Sequence, residues 1–286
     1  MRKITQVQVV EILRSLGVQA GDGLLVHSAI QFLGQPQSGV ATYLLALQEV
    51  LGLRAWLQQE RSPGNMAAAS NTQAGCLAVP VFNFAFARGE RFHPQETPAE
   101  NMGVFSEFVR QQAQAQRTRH PMQSLAVIGP CAADLVARDT PCAFDPGSAF
   151  ERMLELDFKL LLLGADVQAA SIIHYSEQRA GVPYRYWKDF QGLIYRDQTW
   201  QACEYRMFVR DLQADAQLDL HPIQELLQSR HQWAQRPVNY GSIAVCRLVD
   251  FVAAADEILA KDPWALVANR AEAMRAMQNH PNFSNH

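Results

Sequence analysis

A histidine and a glutamate three positions apart form the clearest chemical pattern in this sequence. His174 and Glu177 follow an apolar run at 158–163 and Gly164, which predict a buried strand that turns sharply at the glycine. The next segment has helical length and few breakers, so both side chains would share one helical face. A base and a carboxylate would then meet beyond the carboxyl end of a strand, where open α/β sheets place ligands. The pattern therefore indicates an active site.

Three interpretations of this pair remain open from the residues alone. His174 can be a general base oriented by Glu177, half of a metal site, or a buried structural histidine. No second His or Cys lies at ligand spacing nearby, which disfavours zinc, and nothing around Cys203 indicates an activated thiolate. The chain lacks a G-x-S-x-G elbow, a P-loop and a G-x-G-x-x-G motif. Residues 178–183 approach the pyrophosphate loop of the commonest acetyltransferase superfamily, but Pro183 has no N–H to donate.

Polar groups also flank two other predicted strands. His27 and Ser28 follow a strand predicted at 24–26, where they can contact a ligand or satisfy local backbone groups. A second polar segment precedes a strand predicted at 125–129, and a solvated turn with incidental charge is its default interpretation. Its side chains that could bind a phosphate or fix a substrate are Arg117, Arg119, His120 and Ser124.

An aromatic and basic stretch follows the predicted catalytic helix. Aromatic rings stack on ring-shaped ligands and cationic side chains bind anions, so this stretch suits a ligand that has both a ring face and a phosphate. Ordinary packing with exposed basic tips explains the same residues. The candidate substrate contacts are Tyr184, Arg185, Trp187 and Lys188.

Strand and helix patterns alternate along the chain. Besides the strands already named, apolar patterns predict strands at 77–84, 192–196, 205–209 and 243–246. Helices are predicted from Thr5 to Gly17, at 40–52, after Asn101, after Ser148, at 221–234 and at 248–260. This order predicts an α/β fold with a mixed central sheet and helices on both faces.

Length, composition and charge limit the possible classes of protein. The 286 residues, 48% hydrophobic, can form one large core, and no repeat or long linker divides them. We therefore expect a single domain over 1–286, with an exposed insertion at about 53–75, where little could be buried. A net charge of -3 offers no broad basic field for nucleic acid or anionic membranes. No apolar run is long enough to span a bilayer.

The cysteines and the amino terminus indicate in which cellular compartment the protein is expected. The five cysteines are scattered, odd in number and never in a C-x-x-C pair, which predicts reduced thiols rather than a disulfide framework. The amino terminus does not resemble a secretory signal. A cytoplasmic location follows as the expectation.

Several short motifs, in the correct order, resemble the aminoglycoside 3-N-acetyltransferase family. Ser171 lies three residues before His174, and Glu177 three after it, in a segment where the family typically has Thr or Ser, His and Glu. Departures are Ala29 in place of a second Ser, Ser171 for the commoner Thr, and the insertion. The other similar motifs cover nearly the whole chain, at 27–28, 79–82, 117–124, 146–148, 247–250 and 262–263.

This resemblance implies a non-Rossmann, antibiotic N-acetyltransferase-like fold and acyl transfer from a coenzyme A thioester to a primary amine, without a metal. Acetyl-CoA is the expected co-substrate, although a carrier-protein thioester could replace it. His174 would be the base, Glu177 would fix its tautomer, and Ser171 would hydrogen-bond the thioester carbonyl or the pantetheine. The residues implied on the coenzyme side are His27, Ser28, Arg117, Arg119, His120 and Ser124.

The acceptor amine is less determined. The aromatic and basic stretch favours an amino sugar or a similar biosynthetic amine. An aminoglycoside antibiotic is the alternative, but a polycation would favour carboxylates at the rim, and residues 76–110 offer only Glu90, Glu96, Glu100 and Glu107. A second alternative, a coenzyme-binding or carbohydrate-binding protein without turnover, would require His174 and Glu177 to be inaccessible to a ligand. The expected partners are this amine and coenzyme A, and a homodimer is left open.

Overall fold

A seven-stranded mixed sheet forms the centre of the protein, seen here in a computed structural model that describes residues 2–60 and 73–278. The strands are β1 (Lys3–Ile4), β2 (Gly23–Ser28), β3 (Gln35–Pro36), β4 (Cys76–Pro80), β5 (Gln116–Arg117), β6 (Leu125–Ile128), β7 (Lys159–Leu163), β8 (Arg185–Arg196), β9 (Thr199–Arg210), β10 (Ala234–Val238) and β11 (Gly241–Arg247). The central sheet has the order β10-β11-β7-β2-β4-β6-β5, while β1 pairs with β3 and β8 with β9.

Parallel pairing at the middle of this sheet brings distant parts of the chain together. Strand β2 is parallel to both β4 and β7, with His27 opposite Leu162 and Ser28 opposite Leu163. The next strands outward, β6 and β11, run antiparallel to their neighbours. The predicted mixed sheet is therefore confirmed, and β2, β4 and β7 end at the same edge.

Both faces of the sheet are covered by helices, as the sequence predicts. Because side chains alternate along a strand, Leu161 packs on one face and Leu160 on the other. One face buries residues of α1 (Gln6–Ser15), α2 (Ala41–Val50), α3 (Leu53–Glu60) and α4 (Gly103–Arg110). The other buries residues of α5 (Ala132–Ala137), α6 (Ala149–Glu155), α7 (Ile173–Ala180), α8 (His221–Ser229), α9 (Leu248–Lys261) and α10 (Arg270–Gln278). Among the described residues, no helix is both long and apolar enough to cross a bilayer.

The long hairpin of β8 and β9 lies outside the central sheet. Asp197 and Gln198 connect its strands with φ angles of 49° and 62°, as a tight two-residue turn requires. One face of the hairpin packs on a small core that includes Phe86 and Phe92. The strands predicted at 192–196 and 205–209 cover only parts of β8 and β9, because the charged and aromatic residues from 185 onward conceal the alternating pattern.

The segment from residue 53 corrects the predicted insertion. Residues 53–60 form α3, in which Leu53 is buried while Trp56 and Leu57 pack against the core. These three side chains share one helical face, so a few apolar residues anchor an otherwise polar helix. The prediction of an exposed insertion is wrong for this part, and residues 61–72 of that prediction lie outside the described residues.

The cysteines correct a second prediction. Cys76 and Cys131 form a disulfide across a sequence separation of 55 residues, while Cys142, Cys203 and Cys246 are free. The antiparallel register of β4 and β6 places Leu77 opposite Ile128, which brings the two cysteines to one end of this strand pair. Five reduced thiols were expected because no two cysteines are close in sequence. The pairing of Cys76 with Cys131 depends instead on the register of β4 and β6.

Candidate active site

A cavity of about 520 Å³ opens beyond the carboxyl ends of β2, β4 and β7. His27 and Ser28 line it from the end of β2, Phe82 and Phe84 from the segment after β4, and Ser171 and His174 from the segment after β7. The sequence predicts a candidate base at such a sheet edge, and His174 lies there.

A glycine makes the turn from β7 toward α7 possible. Gly164 has a φ of 77°, and a Cβ atom there would lie 2.6 Å from the carbonyl oxygen of Ala29. The chain then makes a short 3₁₀ turn at Val167–Ala169 before α7 begins at Ile173. Ser171 therefore lies just before α7, and His174 lies on the first turn of that helix.

His174 and Glu177 form a short hydrogen bond at the cavity wall. His174 Nδ1 lies 2.6 Å from Glu177 Oε2, the side chain of His174 is 29% exposed, and that of Glu177 is completely buried. Burial by itself would raise the pKa of Glu177, but the contact with His174 and the charge of Arg185 outweigh it and lower that pKa. The carboxylate is therefore ionised, and it favours the tautomer in which Nδ1 carries the proton.

His27 and Ser171 form a second, uncharged part of the wall. The backbone N–H and the hydroxyl of Ser171 lie 3.4 and 3.3 Å from His27 Nε2. Burial, followed by the influence of His174, lowers the pKa of His27 to about 3. The imidazole of His27 is therefore neutral near pH 7 and can accept hydrogen bonds from Ser171.

Arg185 and Tyr184 lie behind the His174 and Glu177 pair. Arg185 Nε is 3.0 Å from Glu177 Oε2, and Arg185 Nη2 is 3.2 Å from His174 Nδ1. Tyr184 is buried against Trp264, and burial followed by the charge of Glu177 raises the pKa of its hydroxyl. Both residues were predicted to contact the acceptor, but Arg185 contacts His174 and Glu177, and Tyr184 packs in the core.

Trp187 and Lys188, the other predicted acceptor contacts, lie on the hairpin and not on the wall of the cavity. Trp187 is 42% exposed and packs against Arg206, whose guanidinium carbon is 4.3 Å from the ring centroid. Lys188 Nζ lies 5.3 Å from the ring centroid of Phe190. The hairpin carries these side chains along its own surface, so sequence proximity to His174 does not bring them to the site.

Arg117 and Ser124 form an internal network instead of lining the cavity. Arg117 Nε donates to Ser124 Oγ at 2.8 Å, and its Nη2 donates to the carbonyl oxygen of Val81 at 2.7 Å. The guanidinium also lies over the ring of Phe92, and burial, followed by the charge of Arg110, lowers the pKa of Arg117 to about 9. These contacts hold the loops beside β4 and β6.

Arg119 and His120 are separated from the cavity as well. The side chain of Arg119 is half exposed, 3.9 Å from Asp139. His120 is buried, its Nδ1 accepts from the backbone N–H of Gln123 at 3.0 Å, and burial lowers its pKa to about 4. The four predicted coenzyme contacts of this segment lead into β6, which is separated from β7 by β2 and β4.

Several cavity residues were missed by the sequence analysis. The amide of Gln168 donates to the carbonyl oxygen of Leu218 and accepts from the N–H of Leu220, at 2.8 and 2.6 Å, and so holds a distant loop at the cavity. Phe82 and Phe84 lie just beyond β4, where the rule that identified His27 would have found them. The contact of Gln168 has no signal in sequence because it joins residues about fifty positions apart. In the part of the chain that the structure describes, no group of three His, Cys, Asp or Glu side chains could hold a metal ion.

The chain is similar to known proteins along most of its length. A family profile described as aminoglycoside 3-N-acetyltransferase matches residues 25–260. An aminoglycoside N(3)-acetyltransferase III from a Salmonella species is 29% identical over 194 residues, 65% of this chain and 65% of that protein. An aminoglycoside N(3)-acetyltransferase VII from Streptomyces paromomycinus is 27% identical over 210 residues, 68% of this chain and 67% of that protein. The match to the first of these relatives thus spans 65% of its length.

Two solved structures share the fold. The apoenzyme of aminoglycoside acetyltransferase AAC(3)-IVa superposes with a TM-score of 0.72 at 23% identity, covering 96% of this chain and 98% of that one. The binary complex of AAC-IIIb with CoASH has a TM-score of 0.73 at 21% identity, covering 91% and 97%. At these identities the likeness shows the fold, and it confirms the predicted architecture.

Proposed function

Because this chain belongs to the aminoglycoside 3-N-acetyltransferase family, we propose that it transfers an acetyl group from acetyl-CoA to a primary amine, with His174 as the general base. The observation that carries this proposal is the 2.6 Å contact between His174 Nδ1 and Glu177 at the wall of the cavity. A proton on Nδ1 leaves Nε2 as the nitrogen with a free lone pair, which is the group that a general base requires.

The reaction follows from this tautomer. A sugar amine is largely protonated near neutral pH, and only its neutral form has the lone pair needed to attack the thioester carbonyl. As the N–C bond forms, Nε2 of His174 takes a proton from the amine nitrogen. The C–S bond then breaks, and the thiolate sulfur of coenzyme A receives that proton. The products are an amide and free coenzyme A, and His174 is neutral again.

The uncharged wall suits the coenzyme arm. His27 is neutral, Ser28 and Ser171 carry hydroxyls, and Phe82 and Phe84 present apolar rings to the same cavity. A thioester on a pantetheine chain has amide and apolar parts without charge, so these residues fit it. We place His27, Ser28 and Ser171 on the acyl donor.

The first candidate acceptor is an amine of an aminoglycoside. The curated relatives carry that substrate in their names, and the solved structure of AAC-VIa has sisomicin bound. The distance from the candidate base to a ring amine cannot exceed hydrogen-bond reach in the reactive complex, so such a ligand must enter the cavity beside His174.

The composition of the wall favours a second candidate, an amino sugar with fewer positive charges. None of the described residues that line the cavity is an Asp or a Glu. Residues 61–72 and 279–286 also contain no Asp or Glu in their sequence. Nearby carboxylates already have side-chain partners: Glu100 pairs with Arg88 at 3.2 Å, and Asp166 and Asp219 lie 3.5 and 2.7 Å from His221.

An assay of coenzyme A release with a panel of amines tests both candidates. The panel contains a polycationic aminoglycoside, a monocationic amino sugar such as glucosamine, and a nucleotide-linked amino sugar, and mass spectrometry identifies the acetylated product. We expect His174→Ala to lower turnover by about 10²- to 10⁴-fold, with partial rescue at high pH, where more of the amine is already neutral. Coenzyme A binding by calorimetry should be unchanged in this variant.

The relative kcat/KM values decide between the acceptors. A higher value for the aminoglycoside, with a KM that rises steeply with salt, supports the first candidate. A higher value for a less charged amine, with little salt dependence, supports the second. Absence of amine-dependent coenzyme A release across the panel, or full activity of His174→Ala, would contradict the proposed function.

A further inference from the structure

Glu177 contacts a nitrogen atom of His174 and a nitrogen atom of Arg185. Because both contacts use one carboxylate, Arg185 has a defined position relative to His174. The same oxygen, Oε2, lies 2.6 Å from His174 Nδ1 and 3.0 Å from Arg185 Nε. The side chain of Arg185 is only 10% exposed, and its Nη1 donates to the carbonyl oxygen of Phe208 at 3.2 Å. The guanidinium is thus fixed from two sides, and it is not free to follow a ligand.

The approach of Arg185 to His174 constrains the protons of the imidazole. Arg185 Nη2 lies 3.2 Å from His174 Nδ1, and a guanidinium can only donate hydrogen bonds. Nδ1 would accept from Arg185 if it were unprotonated, but the carboxylate at 2.6 Å would then face a lone pair. The shorter, charge-assisted contact favours a protonated Nδ1. Arg185 then holds a positive charge against a ring nitrogen that already carries hydrogen.

The charges that face His174 therefore sum to zero before any substrate is bound. Glu177 contributes one negative charge and Arg185 one positive charge, while His27 on β2 is neutral, as is the hydroxyl of Tyr184 behind the carboxylate. Protonation of His174 would leave a net positive charge at this part of the cavity wall. In a simple pair of histidine and carboxylate, the same proton would instead neutralise the site.

We propose that Arg185 is a positioning residue that fixes the shared carboxylate and opposes the imidazolium form of His174, so that the base is neutral when the amine arrives and readily returns its proton. This inference rests on the proposed function. The proton that Nε2 takes from the amine nitrogen passes to the thiolate sulfur released when the C–S bond breaks. An imidazolium that faces Arg185 is a stronger acid, so that second transfer is favoured.

The pH dependence of kcat/KM tests this role. Arg185→Gln removes the charge, and we expect the acid limb of the profile to move to higher pH by about one unit, because an opposing charge within hydrogen-bond distance has been lost. Arg185→Lys keeps the charge but loses the planar fork, and its acid limb should stay close to that of the native protein. Arg206→Gln is a matched control, since Arg206 lies on the same hairpin against Trp187.

A spectroscopic measurement makes the test independent of turnover. In ¹⁵N NMR spectra of the native protein, Nδ1 of His174 should be protonated and Nε2 unprotonated at neutral pH, and Arg185→Gln should move the titration of this ring to higher pH. If no amine is acetylated but this shift is seen, the proposed function fails while the role of Arg185 stands. An acid limb and a ring titration that do not move, or that move to lower pH, would overturn the inference. If Arg185→Gln does not fold, a native spectrum with an unprotonated Nδ1 would overturn it as well.

Discussion

Glu177 is the residue on which the geometry of the candidate site depends most. It has no exposed surface, and its charge is balanced by contacts with His174 and Arg185. A buried carboxylate is costly unless it is paired, so removal of its charge affects two partners at once. The residue therefore has a structural as well as a chemical role.

We predict that Glu177→Gln lowers both activity and stability. The amide keeps the shape but leaves Arg185 without a counterion, and breaking a buried pair typically costs about 3–5 kcal/mol of the free energy of unfolding. Turnover should fall by less than in His174→Ala, because Nε2 can still act as a base from a less favoured tautomer. Urea denaturation and steady-state kinetics measure the two effects, with the exposed Glu11→Gln as control. Unchanged stability of Glu177→Gln would show that Arg185 does not depend on this charge.

At the scale of residues, the sequence predicted contacts within one element and missed contacts between elements. The spacing of His174 and Glu177 was enough, because positions three apart meet on any helix. Arg185 was assigned to a ligand because its contact with Glu177 depends on where the hairpin begins. Arg117 was assigned to the coenzyme because the sequence does not show that Val81 and Ser124 satisfy its donors.

At the scale of elements, the register of β4 and β6 allows a disulfide bond to form. The two strands pair antiparallel, and Cys76 and Cys131 at one end of the pair are bonded. A bond across 55 residues restricts the unfolded chain and so stabilises the folded one. The three other cysteines are free, and burial raises the pKa of the Cys142 thiol to about 11, which makes it unreactive.

We predict that three thiols, not five, are alkylated when the purified protein is unfolded without reductant. Peptide mass spectrometry should find Cys76 joined to Cys131. Cys131→Ala should lower the free energy of unfolding by about 2–4 kcal/mol, the typical contribution of a disulfide that closes a long loop. Cys203→Ala is the matched control and should change it little. Five alkylated thiols would show that this pair is reduced in solution.

Some kinds of element follow from the sequence more directly than others. Strands β2, β6 and β7 are apolar on both faces and were predicted because nothing but a buried strand accommodates such short runs. Helix α3 was missed because it has only three large apolar residues, and their partners belong to distant elements. The hairpin was predicted only around Ile194 and Tyr205, which are buried, because the rest of β8 and β9 is held mainly by backbone pairing.

At the scale of the whole molecule, buried histidines link stability to pH. Burial lowers the pKa of His27 to about 3 and that of His120 to about 4, whereas the same groups in an unfolded chain have pKa values of about 6.5. Between these values the unfolded chain binds more protons than the folded one, so stability falls as the pH falls. The lowered pKa of Glu177 acts in the same direction at still lower pH.

We predict a steep loss of stability between pH 6.5 and pH 4. Each of the two histidines should contribute a slope of about 1.4 kcal/mol per pH unit where only the unfolded chain is protonated. His27→Gln should reduce the slope by the contribution of one histidine, about 1.4 kcal/mol per pH unit. His231→Gln, an exposed control, should leave the slope unchanged. Denaturation at a series of pH values gives these slopes. Equal slopes in all three proteins would show that His27 is not buried in its neutral form.

The parallel pairing of β2 with β7 also sets when the site comes into existence during folding. Ser171 meets His27 across 144 positions of sequence, and the wall that they form exists only after the middle of the sheet has closed. Long-range parallel pairing is slow because a large loop must lose its conformational freedom first. Helical circular dichroism should therefore recover early in refolding, and transferase activity should return with the final phase. A chain arrested before that closure would show most of the helical circular dichroism signal of the folded protein but no activity.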